Sequence, residues 1–186
     1  TVSSAPPTPV SLALEGVDAP QAVTGGTNPF VALQLTAGVP AGGAAVTLTS
    51  SNPAVAPVPA TVTVPGTHAW TDFPIALGTV TAPTPVTLTA TLNGVSTSGT
   101  FTVLPAGLKS LQLTPAAVSG GTPATAWVDL QGPAPAGGVV LSLSSDNPAA
   151  GVPATFTVPA GSWSASIPVT TAAVTAAANA TITVTA

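Results

Sequence analysis

The sequence predicts an all-β protein of two tandem β-sandwiches, the second lacking its last strand within the chain. Three observations carry this prediction. Apolar residues alternate with polar ones at a period of two, helical spacing is sustained nowhere, and nearly the whole pattern occurs twice, about 95 residues apart. The 22 Pro and 18 Gly of the 186-residue chain punctuate the alternating runs. Their spacing, roughly 8 to 12 residues, is that of short strands joined by turns. The length suits two units of roughly 90 to 100 residues, each the size of one sandwich.

The strands can be justified in chain order. Ser11-Leu12-Ala13-Leu14 opens the first copy and Ser110-Leu111-Gln112-Leu113 the second. Val31, Leu33 and Leu35 then alternate with Ala32 and Gln34; their counterparts Ala126, Val128 and Leu130 alternate with Trp127 and Asp129. Pro40-Ala41-Gly42-Gly43 and Pro135-Ala136-Gly137-Gly138 read as turns that need positive φ. Val46 and Leu48 follow in one copy, Leu141 and Leu143 in the other. Asn52-Pro53 and Asn147-Pro148 initiate turns. Val62 and Val64 match Phe156 and Val158, and Phe73, Ile75 and Leu77 match Ile167, Val169 and Thr171. Val86, Leu88, Ala90 and Leu92 match Ala180, Ile182, Val184 and Ala186. Only the first copy continues, through Asn93-Gly94 into Phe101 and Val103. A complete copy therefore has seven predicted strands. The boundaries that follow are an extended arm over 1–9, a first domain over 10–105 and an incomplete second domain over 106–186.

Charged residues make up 3% of the chain, against roughly 25% in an ordinary soluble domain. Polarity comes instead from 31 Thr and 15 Ser, whose hydroxyls keep a strand face wet without charge. A net charge of −4, spread thinly, excludes phosphate-backbone binding to nucleic acid. Mean hydropathy is +0.59, yet Pro, Gly and Thr interrupt every apolar run before it reaches spanning length, which argues against membrane insertion. The lack of Cys and Met and the near absence of Lys fit a secreted product, extracellular or at the cell surface.

Residues capable of chemistry are few. His68, Asp72 and nearby hydroxyls suggest a hydrolytic triad, but the second copy has Ser162 and Ser166 at the aligned places, so the repeat needs neither group. Glu15 and Asp18 lie three apart, and five acids over the whole chain supply at most one weak calcium site. With no Cys and one His a structural zinc centre is excluded. The expectation is therefore no enzyme activity, no metal and no cofactor. Trp127 points outward by its register and is the candidate surface-contact residue. Asn179-Ala180-Thr181 is the single N-glycosylation sequon and is predicted to lie in a strand.

Taken together, Gly-Gly-Thr, Pro-Ala-Gly-Gly, Ser-Asn-Pro-Ala and Val-Pro-Ala-Thr-Val-Thr-Val-Pro resemble the bacterial immunoglobulin-like repeats of large surface proteins, over residues 10–104 and 108–186. The resemblance implies two immunoglobulin-like sandwiches and a place in adhesins, surface layers or extracellular fibres, mostly as spacers or building blocks. The unfinished second copy adds an expectation of its own. An unpaired edge beside an open core is a template for pairing. Ile182, Val184 and Ala186 form the candidate acceptor edge. Thr1-Val2-Ser3-Ser4 aligns with Thr100-Phe101-Thr102-Val103 and is the candidate donor strand. Donation between copies would run head to tail into an open filament. The expected function is thus a structural building block that self-associates. The alternatives are an adhesin segment, gripping a glycan or host-surface ligand, and a passive spacer from a longer repeat protein.

Overall fold

The computed structural model describes residues 6–16 and 21–186, and its regular structure is entirely strand, arranged in several sheets consistent with the β-sandwich class. The chain divides into two compact units, Thr1–Pro105 and Ala106–Ala186, each with its own apolar core.

In the first unit, β1 (Pro9–Leu14), β3 (Phe30–Leu35) and β6 (Trp70–Pro74) form one sheet in the order β1-β3-β6. The other sheet runs β2-β8-β7-β4-β5, from β2 (Ala22–Thr24), β4 (Ala44–Ser50), β5 (Thr61–Val64), β7 (Thr84–Leu92) and β8 (Val95–Leu104). Every pairing is antiparallel except β2 with β8. Alternation places Leu12, Leu14, Val31, Leu33, Val46, Leu48, Val86 and Leu88 inside, where removal of apolar surface from water stabilises the unit by roughly 25 cal/mol per Å². The opposite face stays polar through hydroxyl pairs: Thr87 with Thr100 at 3.0 Å, Thr89 with Ser98 at 2.9 Å and Thr91 with Ser96 at 2.7 Å. Asn93 and Gly94 join β7 to β8 with φ of 53° and 78°, the left-handed pair that suits a two-residue hairpin.

The second unit repeats this plan with β9 (Leu108–Thr114), β10 (Ala124–Leu130), β11 (Val139–Ser145), β12 (Ala150–Gly151), β13 (Thr155–Val158), β14 (Ser164–Thr171) and β15 (Ile182–Thr185). The sheets are β12-β14-β10-β9 and β13-β11-β15. Their register matches the first unit: Leu12 faces Leu33 as Leu111 faces Val128, and Leu14 faces Val31 as Leu113 faces Ala126.

Several sequence expectations need correcting. The predicted strand through Phe73, Ile75 and Leu77 ends at Pro74, although Ile75 and Leu77 are buried. In the second unit the last strand starts only at Ile182, so Ala180 precedes it and the exposed Ala186 follows it. The sequon Asn179-Ala180-Thr181 therefore lies in irregular chain ahead of β15, not in a strand. Two short strands, β2 and β12, had too few residues to show a period. Thr1, Val2, Ser3, Ser4 and Asp18 lie outside the described residues.

Candidate strand-acceptor cleft

In the first unit β8 is gripped on both sides. Its residues Val95 to Val103 pair antiparallel with β7, and Thr102 to Leu104 pair in parallel with β2. The Thr102 N–H donates to the Gln21 carbonyl at 2.9 Å, and the Gly25 N–H donates to the Leu104 carbonyl at 2.9 Å. The strand also passes hard against β1, where a Cβ on Gly99 would overlap the Leu12 carbonyl. Phe101 is 4% exposed and shares its surroundings with Leu12, Leu14, Val31 and Leu88. Val103 is fully buried, its Cγ1 only 3.2 Å from where a Cβ on Gly25 would stand.

No strand occupies the corresponding place among the described residues of the second unit. There β15 pairs with β11 alone, and the counterpart of β2, residues 117–119, is not a strand. An open cleft of about 330 Å³ lies there, bordered by Leu113, Val118, Gly120, Val169, Ala180 and Ile182. Leu113, Gly120 and Ile182 are the counterparts of Leu14, Gly25 and Leu88, the residues around Phe101 and Val103. The neighbouring core is correspondingly open: Leu111, Leu113 and Val184 are half-buried, whereas Leu12, Leu14 and Ala90 are buried. Of the three acceptor-edge residues, Ile182 thus lines the cleft, Val184 is half-buried and Ala186 is exposed beyond the strand end.

Polar contacts hold the entry to β15. The Thr181 N–H donates to Asp146 Oδ1 at 2.6 Å, and Asn147 Nδ2 donates to the Asn179 carbonyl at 2.9 Å. In the first unit the same place is served by Ser51, whose Oγ accepts from the Thr87 N–H at 2.9 Å. The Thr181 backbone donor, then its hydroxyl, hold the Asp146 carboxyl below its ordinary range. This makes Asp146 a structural clip, a role its sequence context did not reveal.

The remaining candidates do not converge. The exposed His68 has Nδ1 3.1 Å from the Gly66 carbonyl, a local turn contact. Asp72 lies on β6 opposite Ala32, and Asp129 accepts from Ser110 Oγ at 2.8 Å across β9 and β10. No group of three His, Cys, Asp or Glu is placed to hold a metal among the described residues. Trp127 is 47% exposed in the middle of the β12-β14-β10-β9 sheet, between Gln112 and Ser166. Trp70 and Trp163 are exposed to a similar extent.

No family model matches the chain, and no curated protein does. Among solved structures it is similar to a protein of unknown function from Porphyromonas gingivalis W83, at 10% identity and a TM-score of 0.25, over 90% of this chain and 84% of that one.

Proposed function

We propose that the chain is a non-enzymatic structural building block of an extracellular filament or cell-surface assembly, composed of two tandem immunoglobulin-like sandwiches. Copies join head to tail by adding a strand to the second unit. The observation that carries this reading is the cleft beside β15, open where the first unit holds β8. Low charge supports it too, because 3% charged residues offer little electrostatic resistance to association. The donor is a strand from another copy or from a neighbouring segment; Thr1 to Ser4 is one candidate.

Completing the second unit in cis tests this. The segment Asn93 to Leu104 is appended after Ala186, as it follows Leu92 in the first unit, and both chains are weighed by light scattering. The parent should form multi-copy species that grow with concentration, and the extended chain should be monomeric. A parent that stays monomeric through the micromolar range, or an extended chain that assembles equally well, overturns the reading. A second reading, an adhesin segment, is favoured by one observation: Trp127 stands exposed between Gln112 and Ser166, with Asp129 two residues along the same face, as a sugar-stacking residue would. Glycan binding abolished by Trp127→Ala, with no change in assembly, would select it.

A further inference from the structure

We infer that each unit carries a shallow binding site for a neutral pyranose sugar, on the outer face of the sheet that holds β3 in the first unit and β10 in the second. Each site is an exposed Trp, an Asp two residues along the same strand and a Gln on the neighbouring strand. The added site, and the ligand named for both, rest on the glycan reading of Trp127. In the first unit Trp70 and Asp72 are exposed at alternate positions of β6, and Gln34 of β3 pairs with Trp70. In the second, Trp127 and Asp129 alternate outward on β10, and Gln112 of β9 pairs with Trp127. Strand geometry sets cross-strand neighbours about 5 Å apart and alternate residues about 7 Å apart, so the three groups fit beneath one or two sugar rings. The fold itself asks for none of them. By register Trp70 and Asp72 correspond to Ser164 and Ser166, while Trp127 and Gln112 correspond to Ala32 and Ala13. The same three side chains are thus gathered twice at places that are not equivalent, which duplication of a scaffold feature does not produce. Two of the chain's five acids stand in these clusters, although its other strand faces are kept wet by hydroxyls.

The chemistry of the set matches a sugar. The face of an indole is electron-rich and attracts the weakly positive C–H face of a pyranose. A carboxylate accepts from adjacent hydroxyls in charge-assisted hydrogen bonds, and an amide both donates and accepts, as hydroxyls do. Asp129 Oδ2 accepts from Ser110 Oγ at 2.8 Å, and among the described residues nothing donates to its Oδ1. Gln34 Oε1 accepts from Ser11 Oγ at 3.3 Å, which leaves its Nε2 to donate. Charge decides the class of sugar. Both clusters hold a carboxylate, and the chain's one Lys, Lys109, lies in the second unit, so the first has no Lys or Arg to answer an anionic glycan. A cation is the other ligand that an indole and a carboxylate attract, and its characteristic site is a cage of several aromatic rings. Here each cluster has one ring, beside an amide whose N–H groups a cation would leave unanswered. Trp163 is as exposed as the other two, but it precedes β14 at the parity of the buried Ile167, away from this face.

Maltohexaose, cellohexaose, mannohexaose and chitohexaose test the sites, with a heparin hexasaccharide and hexalysine as charged probes. Each is titrated into the full chain at a concentration where light scattering finds single copies, followed by calorimetry and by tryptophan fluorescence. At least one neutral probe should bind at two sites per chain with a Kd of roughly 0.1–1 mM, unchanged by added salt. Trp70→Ser and Trp127→Ala introduce the side chains that the other unit already carries at those places, so both variants should fold. Each should remove one site, and the double variant both. Asp72→Asn and Asp129→Asn should each weaken their own site about 10-fold, the loss of a charge-assisted hydrogen bond. Trp163→Ala should leave binding as it is. Stronger binding of heparin or hexalysine than of every neutral probe overturns the inference. So does binding that survives in the double variant, or no binding of any neutral probe up to about 10 mM. Binding abolished by Trp127→Ala alone, with Trp70→Ser equal to the parent, would leave the adhesin reading standing and remove the paired sites. The assembly role is read separately by light scattering and is moved by none of these results.

Discussion

Leu48 and Leu143 occupy equivalent places on the inner face of a central strand, at 4% and 7% exposure, while their neighbours Thr47 and Ser142 are exposed. Leu48→Ala and Leu143→Ala should each cost about 2–5 kcal/mol, the transfer term plus a cavity. Thr47→Ala and Ser142→Ala should cost under about 0.5 kcal/mol. Chemical denaturation of the four variants checks the ordering, and a reversal would mean a register shifted by one residue. Asp146 supplies a prediction with a sign. Its folded pKa is lowered by the Thr181 backbone N–H and then by the Thr181 hydroxyl, so the clip stabilises fully above the unfolded value near 3.8. As pH falls through the lower folded value the carboxylate is protonated and that stabilisation is lost. Asp146→Ala should therefore unfold earlier than the parent at neutral pH, and thermal melts should show the gap closing once the solution is acidified below the carboxylate range.

At the scale of elements, β8 has the most to do in the first unit. It completes the β7 hairpin, brings β2 into the sheet and covers β1. Gly99 makes that last approach workable, since a Cβ there collides with main-chain oxygen, which cannot swing aside. Gly99→Val should push β8 off β1 and destabilise the first unit by about 1–3 kcal/mol, the usual cost of forcing extra atoms into a packed site. Denaturation followed through Trp70, which belongs to that unit, reads the loss directly. The second unit's transition should be unmoved.

For the whole molecule, two cores imply two unfolding events. The second unit leaves Leu111, Leu113 and Val184 half-exposed beside its cleft, so it should unfold first. Trp127→Phe with Trp163→Phe leaves Trp70 to report the first unit, and Trp70→Phe leaves the other two to report the second. Fluorescence melts of the two variants at concentrations where copies stay apart should give a lower midpoint for the second unit. A single shared transition would contradict this. Circular dichroism should show no helical signature in either variant, in keeping with described residues whose regular structure is entirely strand.

Much of this was legible in the chain because a strand's two faces alternate at every residue, and the repeat shows each alternation twice. Leu33 and Val128, Leu48 and Leu143, and Val64 and Val158 are all inside as their period requires. Trp127, Thr47 and Ser142 are outside for the same reason. Local pattern is silent where a segment is shorter than its own period or is held by distant residues. Whether residues 22–24 pair as β2 while residues 117–119 do not depends on whether a β8 lies beside them, a main-chain contact that neither segment encodes. The late start of β15 follows from pairing: β7 begins at Thr84 because β8 pairs with Thr84 to Thr87, and residues 178–181 have no such partner among the described residues. By itself the sequence determined the strands long enough to show a period, and their inward faces. Only the tertiary structure decided that an apolar cleft opens beside β15, because a cavity is defined by residues far apart in sequence and close in space.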